Sequence, residues 1–386
     1  MVDFGYKKHF RVHHGKSEFV RGNSHINGSV SFWGYGKIRL EKFKGMNKIM
    51  LDYQYILVSV AFLLSFGLYF IYKKIAVYYV ILANPNYRTL HESPTPTGGG
   101  IVFAVVFIAC LIFLWWSDKL SDDLFYVFGV GGSIAVFFGL LDDIFEIRIR
   151  QKLIVQFLLS FWVLFWFEGG PLANIDWIPS LIAVPITLLF LVWVLNAYNF
   201  MDGIDGMAVS GAMFASGSIV LVMLLTSGSS MILILSLLLL ACSTAFMFFN
   251  WSPASIFMGD AGSVFLGYIF GAQIIYTTML NEVSVYTWLI IFSYFIADTT
   301  ATQIARLVLS KKWRTPHRSH AYQNIARIIN NHRKVTLSVI AYNLIWISPL
   351  LIWSVLLPDI AHIATILAMV PALLVSFKYG AFFSSD

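Results

Sequence analysis

Oxygen-bearing side chains are concentrated in two short stretches, each at the end of a long apolar run. One carries the adjacent carboxylates Asp142 and Asp143, with three basic residues following within 148–152. The other, 196–206, has the polar members Asn196, Asn199, Asp202 and Asp205. Carboxylate and amide oxygens are the ligands that hard divalent cations prefer, and a carboxylate also serves as a general base. Both stretches predict metal-assisted or acid–base chemistry. The spacing of the polar residues in 196–206 is not that of an EF-hand.

A lone carboxylate, Asp260, opens a further apolar run in the sequence Gly-Asp-Ala-Gly-Ser (259–263), and Asn250 precedes it by ten residues. Backbone N–H groups at a helix N-terminus favour an anion such as a diphosphate. Asp260 would equally serve as the N-cap of that helix, and the two roles are compatible.

Basic residues and histidines occupy two other connecting segments. Arg88 and His91 precede the run Pro-Thr-Pro-Thr-Gly-Gly-Gly at 94–100, where they could contact phosphate or lipid headgroups. Segment 311–323 carries Arg314, His317, Arg318 and His320. Because residues three apart share a helix face, a zinc pair is one interpretation, but contact with a diphosphate or lipid phosphate suits this cationic segment better. The alternative is a basic loop lying against anionic lipid.

The composition is that of a membrane protein. Of 386 residues, 58% are hydrophobic and 12% are charged, against roughly 25% charged residues in soluble domains. The mean hydropathy of +0.75 excludes a disordered chain and an ordinary soluble enzyme. Cys110 and Cys242 lie inside apolar runs, so neither a disulfide framework nor a cysteine metal site is expected. The basic balance follows membrane topology and does not indicate a nucleic-acid partner.

Eleven apolar runs predict an all-α, polytopic transmembrane helical bundle. The runs are 53–72, 99–116, 124–141, 153–167, 181–197, 209–226, 231–249, 263–280, 287–303, 336–356 and 360–378. Fifteen basic residues follow odd-numbered runs, whereas Lys119 alone follows an even-numbered run. By the positive-inside rule, the odd-numbered connections, the C-terminus and the candidate site are cytoplasmic.

Residues 1–52 form an N-terminal extension that precedes a single transmembrane catalytic domain at 53–380. The extension carries ten basic residues without an apolar period, and it is not a secretory signal. Two interpretations stay open, namely a disordered or interfacial arm, and a true translation start at Met46 or Met50.

Five motifs, in this order and on one predicted membrane face, resemble those of the polyprenyl-phosphate N-acetylhexosamine-1-phosphate transferases, glycosyltransferase family 4. That family includes enzymes that initiate O-antigen and enterobacterial common antigen synthesis, and phospho-N-acetylmuramoyl-pentapeptide transferase. The motifs are Pro-Thr-Pro-Thr-Gly-Gly-Gly at 94–100, Asp142-Asp143, the Asn- and Asp-rich run at 196–206, Gly-Asp-x-Gly-Ser at 259–263 and His-x-x-His at 317–320.

The resemblance implies transfer of a sugar 1-phosphate from a UDP-N-acetylsugar to undecaprenyl phosphate, with release of UMP, in the bacterial inner membrane. It implies a Mg²⁺ cofactor, with Mn²⁺ as an alternative ion, and it is consistent with a homodimer among membrane lipids. Asp260 and Asp142 are the implied metal ligands. The implied catalytic residues are Asp142, Asp143, Asp202, Asp205, His317 and His320. The implied substrate-binding residues are Arg88, His91, Asn196, Asn199, Asn250, Arg314 and Arg318.

Departures from the family pattern narrow the expected substrate. Thr97 stands where many relatives have arginine, no lysine stands near Glu92, and the triple-histidine signature is absent, so a muramoyl-pentapeptide donor is not expected. The form His-Arg-Ser-His-Ala-Tyr-Gln at 317–323 is more similar to that of O-antigen initiators, some of which use 6-deoxy sugars. Whether Asp142 and Asp143 act as a base or as structural support stays open.

Two other functions compete with this interpretation. Asp298, inside a predicted span, would suit an ion-coupled secondary transporter, but no paired broken helices recur in the two halves of the sequence. The unusual N-terminus would suit an inactive membrane scaffold, against which the intact set of acidic residues argues.

Overall fold

The computed structural model describes residues 48–79, 81–83, 94–145, 147–174, 179–309 and 319–380. Residues 1–47 of the predicted extension lie outside these ranges, as do five predicted site residues: Arg88, His91, Arg314, His317 and Arg318.

Helices make up nearly all of the described chain, which confirms the predicted all-α class. The elements are α1 (Lys48–Tyr78), β1 (Leu82–Ala83), β2 (Thr95–Pro96), α2 (Gly100–Trp116), α3 (Asp122–Phe145), α4 (Ile149–Trp166), α5 (Ser180–Phe200), α6 (Met207–Thr226), α7 (Ser230–Asn250), α8 (Gly259–Met279), α9 (Val285–Ile291), α10 (Ser293–Val308), α11 (Ala321–Ile329), α12 (His332–Leu356) and α13 (Ala361–Tyr379). Helices α3 and α12 each include a π-helical segment, Phe125–Gly131 and Asn343–Ile347.

Eight helices within the described ranges are long and apolar enough to cross a membrane, namely α1, α3, α4, α5, α6, α7, α12 and α13. Helix α2 is apolar but has 17 residues, and α8 lies almost wholly inside the bundle. The chain is therefore a multi-pass membrane protein, whereas the number of eleven spans stays a prediction. The run predicted at 287–303 is divided into α9 and α10 at Phe292, whose backbone leaves the helical region with ψ 16°.

Helix α8 is central and packs against α3, α5 and α2. Near its N-terminus two glycines permit backbone contact between helices. A Cβ on Gly100 of α2 would lie 2.0 Å from the Cα of Gly262, and a Cβ on Gly139 of α3 would lie 2.3 Å from the carbonyl oxygen of Asp260. Small residues allow such close approach between membrane helices, so α2 and α3 are held directly against this end of α8.

A short antiparallel ladder joins β1 to β2 and fixes the glycine-rich segment beside α8. Leu82 pairs with Pro96, and Ala83 pairs with Thr95. The N–H of Phe257 donates to the carbonyl of Pro96 at 2.7 Å, and the N–H of Gly99 donates to the carbonyl of Phe257 at 2.9 Å. The segment 94–100 is thus attached to the connection that leads into α8.

Candidate active site

Asp143 at the end of α3 caps the N-terminus of α8. Its two carboxylate oxygens accept the backbone N–H groups of Asp260 and Ala261 at 2.8 and 3.0 Å. Gly259 has a positive φ of 72°, and a Cβ there would lie 2.5 Å from the Asp143 carboxylate. The carboxylate that satisfies these N–H groups therefore comes from another helix, and the Asp260 side chain is left for other contacts.

Lys152, in the first turn of α4, lies between two of the predicted acidic residues. Its ammonium forms a short ion pair with Asp142 and lies 3.1 Å from Oδ2 of Asp260. The second oxygen of Asp142 accepts the N–H of Ile147 at 2.9 Å. The amide of Asn199, at the end of α5, donates to Oδ1 of Asp260 at 2.9 Å. Four helices thus bring together Asp142, Asp143, Lys152, Asn199 and Asp260 at one end of the bundle. We call these five residues the acidic cluster.

Sequence reasoning noted Lys152 as one of three cations beside the adjacent aspartates, but it missed Lys152 as a site residue. Its partner Asp260 is 108 positions away, so no local spacing connects them. Ser263 was also missed, although its hydroxyl accepts a hydrogen bond from the Asn199 amide at 2.9 Å. It belongs to the motif 259–263 and lies on the same helix face as Asp260.

The loop 201–206 between α5 and α6 carries Asp202 and Asp205, which lie in different environments. Burial raises the pKa of Asp202 well above its usual range, and the negative charges of Asp260, Asp143 and Asp205 raise it further. Asp202 therefore lies in the electrostatic field of the acidic cluster. An additional cation on this side would favour its ionised form.

Asp205 is bound by groups from two other segments. Its carboxylate accepts the N–H of Ala254 at 3.2 Å and lies 3.4 Å from Nδ1 of His332. Burial raises the pKa of Asp205, but the hydrogen bond and charge of His332, with the Ala254 N–H, outweigh it and hold the pKa below its usual range. The hydroxyl of Thr336 donates to the Asp205 carbonyl at 2.8 Å, so α12 is tied to this loop.

Two predicted substrate-binding amides have protein partners. The buried Asn250 accepts the N–H of Gly206 at 3.0 Å and donates to the carbonyl of Ile256 at 3.0 Å. Asn196 donates to Gln156 of α4 at 2.7 Å. Asn250 thus holds the connections at Gly206 and Ile256 in place, whereas Asn196 joins α5 to α4. The roles of both amides in substrate binding stay predictions.

His320 is buried, with 2% of its side chain exposed. Its Nδ1 lies 3.5 Å from Oδ1 of Asp298, a fully buried carboxylate on α10. The structure thus brings together the predicted residues of α3, α5 and α8 and places His320 with Asp298 beside α11. A catalytic role for His320 stays a prediction.

The donor set at α8 suits a hard cation. Among the described residues, no three His, Cys, Asp or Glu side chains already converge on one point. The two carboxylates of Asp142 and Asp260 nevertheless accommodate a cation between them, since the Lys152 ammonium contacts both. Asp202 adds a further carboxylate nearby. These oxygen ligands fit Mg²⁺ chemically, with Asp142 and Asp260 as the residues to hold it.

Comparison with known proteins identifies a family and three relatives. The model of the family described as "Glycosyl transferase family 4" matches residues 125–278, which include every described residue of the cluster. A Bacillus subtilis protein, "Probable undecaprenyl-phosphate N-acetylglucosaminyl 1-phosphate transferase", is 30% identical over 302 residues, covering 75% of this chain and 83% of the relative. The Yersinia pestis "Undecaprenyl-phosphate alpha-N-acetylglucosaminyl 1-phosphate transferase" is 28% identical, covering 69% and 75%. The Clostridioides difficile "Phospho-N-acetylmuramoyl-pentapeptide-transferase" is 30% identical, covering 50% and 63%.

Proposed function

Since this chain belongs to glycosyl transferase family 4, with the polyprenyl-phosphate sugar-1-phosphate transferases, we propose that it transfers an N-acetylhexosamine 1-phosphate from a UDP-sugar to undecaprenyl phosphate. An oxygen of the lipid phosphate forms a bond to the phosphorus that carries the sugar. The bond from that phosphorus to the bridging oxygen breaks, and UMP leaves with the bond's electron pair. The products are undecaprenyl-diphospho-sugar and UMP, a first step of O-antigen or related cell-envelope polysaccharide synthesis.

The observation that carries this proposal is the cluster of Asp142, Lys152, Asn199 and Asp260 at one end of the bundle. A lipid phosphate and a soluble diphosphate meet only at a membrane edge, and this cluster lies at the ends of spanning helices. The excess of basic residues on the connections at this end supports a cytoplasmic site and C-terminus in the inner membrane of a bacterium.

The two substrates are anions, so the site must offset their repulsion. Lys152 supplies one positive charge beside Asp142 and Asp260. In this proposal Asp260 and Asp142 hold Mg²⁺, which when bound supplies positive charge against the diphosphate. Asn199 keeps Asp260 oriented through its 2.9 Å hydrogen bond.

The geometry supports different roles for the two adjacent aspartates. Both oxygens of Asp143 accept backbone N–H groups of α8, which suits structural support of the Asp260 position. Asp142 directs one oxygen to Lys152 and is therefore the better candidate for the metal or a proton. A lipid phosphate is already ionised near neutral pH, so the reaction does not require a strong base.

An apolar cavity supports the proposal that the acceptor carries a long hydrocarbon chain. The cavity lies between α5 and the junction of α9 with α10. Trp193, Trp288 and Phe292 are among its lining residues, and Tyr198 near the site end of α5 also contributes. We assign this cavity to the prenyl chain, with the phosphate directed to the acidic cluster.

The proposal is tested by radiolabel transfer with the full chain purified in detergent. The protein receives undecaprenyl phosphate, Mg²⁺ and one labelled donor at a time, chosen from UDP-linked N-acetylglucosamine, N-acetylgalactosamine and 6-deoxy N-acetylsugars. We expect label in the organic phase and equimolar UMP with one donor, and neither after addition of EDTA.

Two matched substitutions locate the reaction. Asp260→Asn should abolish transfer, because it removes the negative charge that Lys152 and Asn199 contact. Asp359→Asn makes the same change at an exposed acid in the turn before α13, and it should transfer sugar at the wild-type rate. Undiminished transfer by Asp260→Asn would refute the assignment of the site.

A further inference from the structure

Asp298 of α10 is a fully buried carboxylate that binds a neighbouring helix outside the membrane-spanning set. Its side chain has no exposed surface. It accepts the backbone N–H groups of Ala321 and Tyr322 at 2.9 and 3.3 Å. It also accepts the hydroxyl of Thr302, one turn along α10, at 3.1 Å. Asp298 therefore caps α11 from another helix, and its negative charge is compensated by fixed donors at this helix N-terminus.

His320, the residue that precedes α11, is the third component of this anchor. Its Nδ1 lies 3.5 Å from Oδ1 of Asp298. Its ring lies 5.6 Å from the ring of Phe200 and 6.0 Å from the ring of Tyr322. With 2% of its side chain exposed, the imidazole is enclosed on both sides and has no surface to offer a soluble diphosphate.

Helix α11 in turn packs on the loop that carries Asp202 and Asp205. The hydroxyl of Tyr322 donates to the carbonyl of Phe200, the last residue of α5, at 2.7 Å. A Cβ on Gly203 would lie 2.2 Å from the Tyr322 hydroxyl and 2.4 Å from the Gln323 amide. The contact is thus so close that a shift of α11 must be accompanied by a shift of the loop.

We infer that Asp298 and His320 are positioning residues, which fix α11 against the loop 201–206 and thereby set the position of the loop that carries Asp202 and Asp205. His320 acts through Asp298 and α11, and it does not contact the reacting phosphates. The effect on turnover rests on the proposed transferase function, whereas the anchor itself is a property of the structure.

The anchor is tested by hydrogen–deuterium exchange on the full chain in detergent, without substrates. Asp298→Asn keeps the volume but replaces an acceptor oxygen with an NH₂ group that faces donors. We expect amide exchange in 321–329 and 201–206 to become about ten- to a hundredfold faster, as for the loss of hydrogen bonds to a charged group. Thr302→Val removes a donor to the same carboxylate but leaves the link to α11, so it should exchange at the wild-type rate.

Two outcomes of the exchange experiment would overturn the inference. One is unchanged exchange in both segments of Asp298→Asn. The other is a uniform increase over all helices, which would indicate general destabilisation and no specific anchor. Because this measurement needs no substrate, it decides the inference even if the chain transfers no sugar and the proposed function fails.

Turnover separates positioning from catalysis at His320. Asparagine presents an N–H near the place of Nδ1, whereas leucine presents none, so His320→Asn should retain at least about ten times the turnover of His320→Leu. Equal inactivity of the two variants would contradict a positioning role.

A double variant tests whether Asp298 and Tyr322 act together. Asp298→Asn with Tyr322→Phe should lose no more turnover than Asp298→Asn alone, because both changes act on the same connection, which runs from α10 through α11 to the loop 201–206. Additive losses would show that the two residues act separately.

Discussion

The contact between α3 and α8 at Gly139 sets the distance between the acidic residues of the two helices. In Gly139→Ala the new Cβ would lie 2.3 Å from the carbonyl oxygen of Asp260 and 2.6 Å from the Cα of Ala261. Both are backbone atoms of a buried helix, so no side chain can turn away to make room. Ordinary contacts begin at 3.4 Å, and the helices must therefore separate locally by about 1 Å.

That displacement is large compared with the tolerance of the site. The bonds from Asp143 to the N–H groups of Asp260 and Ala261 are 2.8 and 3.0 Å, and an added separation of about 1 Å takes them beyond hydrogen-bond range. A misplacement of this size costs roughly 100-fold in rate. Overpacking also lowers the free energy of unfolding by about 1–3 kcal/mol.

The assay is label transfer at saturating donor, with thermal denaturation of the same detergent sample. Gly132→Ala is the matched control, because it lies two turns away on the same interface. Its Cβ would meet side chains of Phe265 and Ile269 at 3.2 and 3.4 Å, which can adjust, so we expect less than a threefold loss of rate. Wild-type transfer by Gly139→Ala would refute the reasoning, as would equal losses in the two variants.

Three further predictions concern the surroundings of the cluster. Lys152→Met leaves two carboxylates without their shared ammonium, so transfer should fall at least about 100-fold, while Lys152→Arg should retain more activity than Lys152→Met; equal rates would contradict this. Asn250→Ala leaves a buried N–H and a carbonyl unpaired, so the free energy of unfolding should fall by about 1–3 kcal/mol in a denaturation assay, and no change would refute it. Because His332 holds the pKa of Asp205 below its usual range, ionised Asp205 stabilises the fold at neutral pH, and this contribution is lost as the pH falls below about 4. His332→Ala should therefore melt at a lower temperature than wild type at pH 7, and the difference in melting temperature should shrink towards pH 3. A difference that stays constant between pH 7 and pH 3 would contradict this.

The membrane class, the all-α fold and the chemical type of the site follow from the sequence alone. Long apolar runs are stable only in a bilayer, and this constraint acts on each run by itself. Even the short run at 153–167 lies on a helix, Ile149–Trp166, that is long and apolar enough to span. The motifs around Asp142 and Asp202 were found because each is dense in oxygen ligands within a few residues. The motif at Asp260 was found because a lone carboxylate opens an apolar run.

The division of roles among these residues was decided by the tertiary structure. Asp143 and Asp142 are neighbours in sequence, yet one caps α8 and the other pairs with Lys152. Sequence reasoning allowed Asp260 to cap its own helix, whereas the cap is supplied from 117 positions away. Such pairings depend on which helices touch, and local patterns carry no information about contacts between helices.

The same reason explains the position of His320 and the partners of Asp298. The cationic segment around His317 and His320 predicts a phosphate contact, but His320, the described one of the two, is enclosed by Phe200, Asp298 and Tyr322. Asp298 inside a span suggests ion transport by residue type, whereas its partners are the N–H groups of α11. A residue type and its spacing determine the chemistry that a side chain is capable of. Only the packing of distant helices determines whether that side chain faces a substrate or another helix.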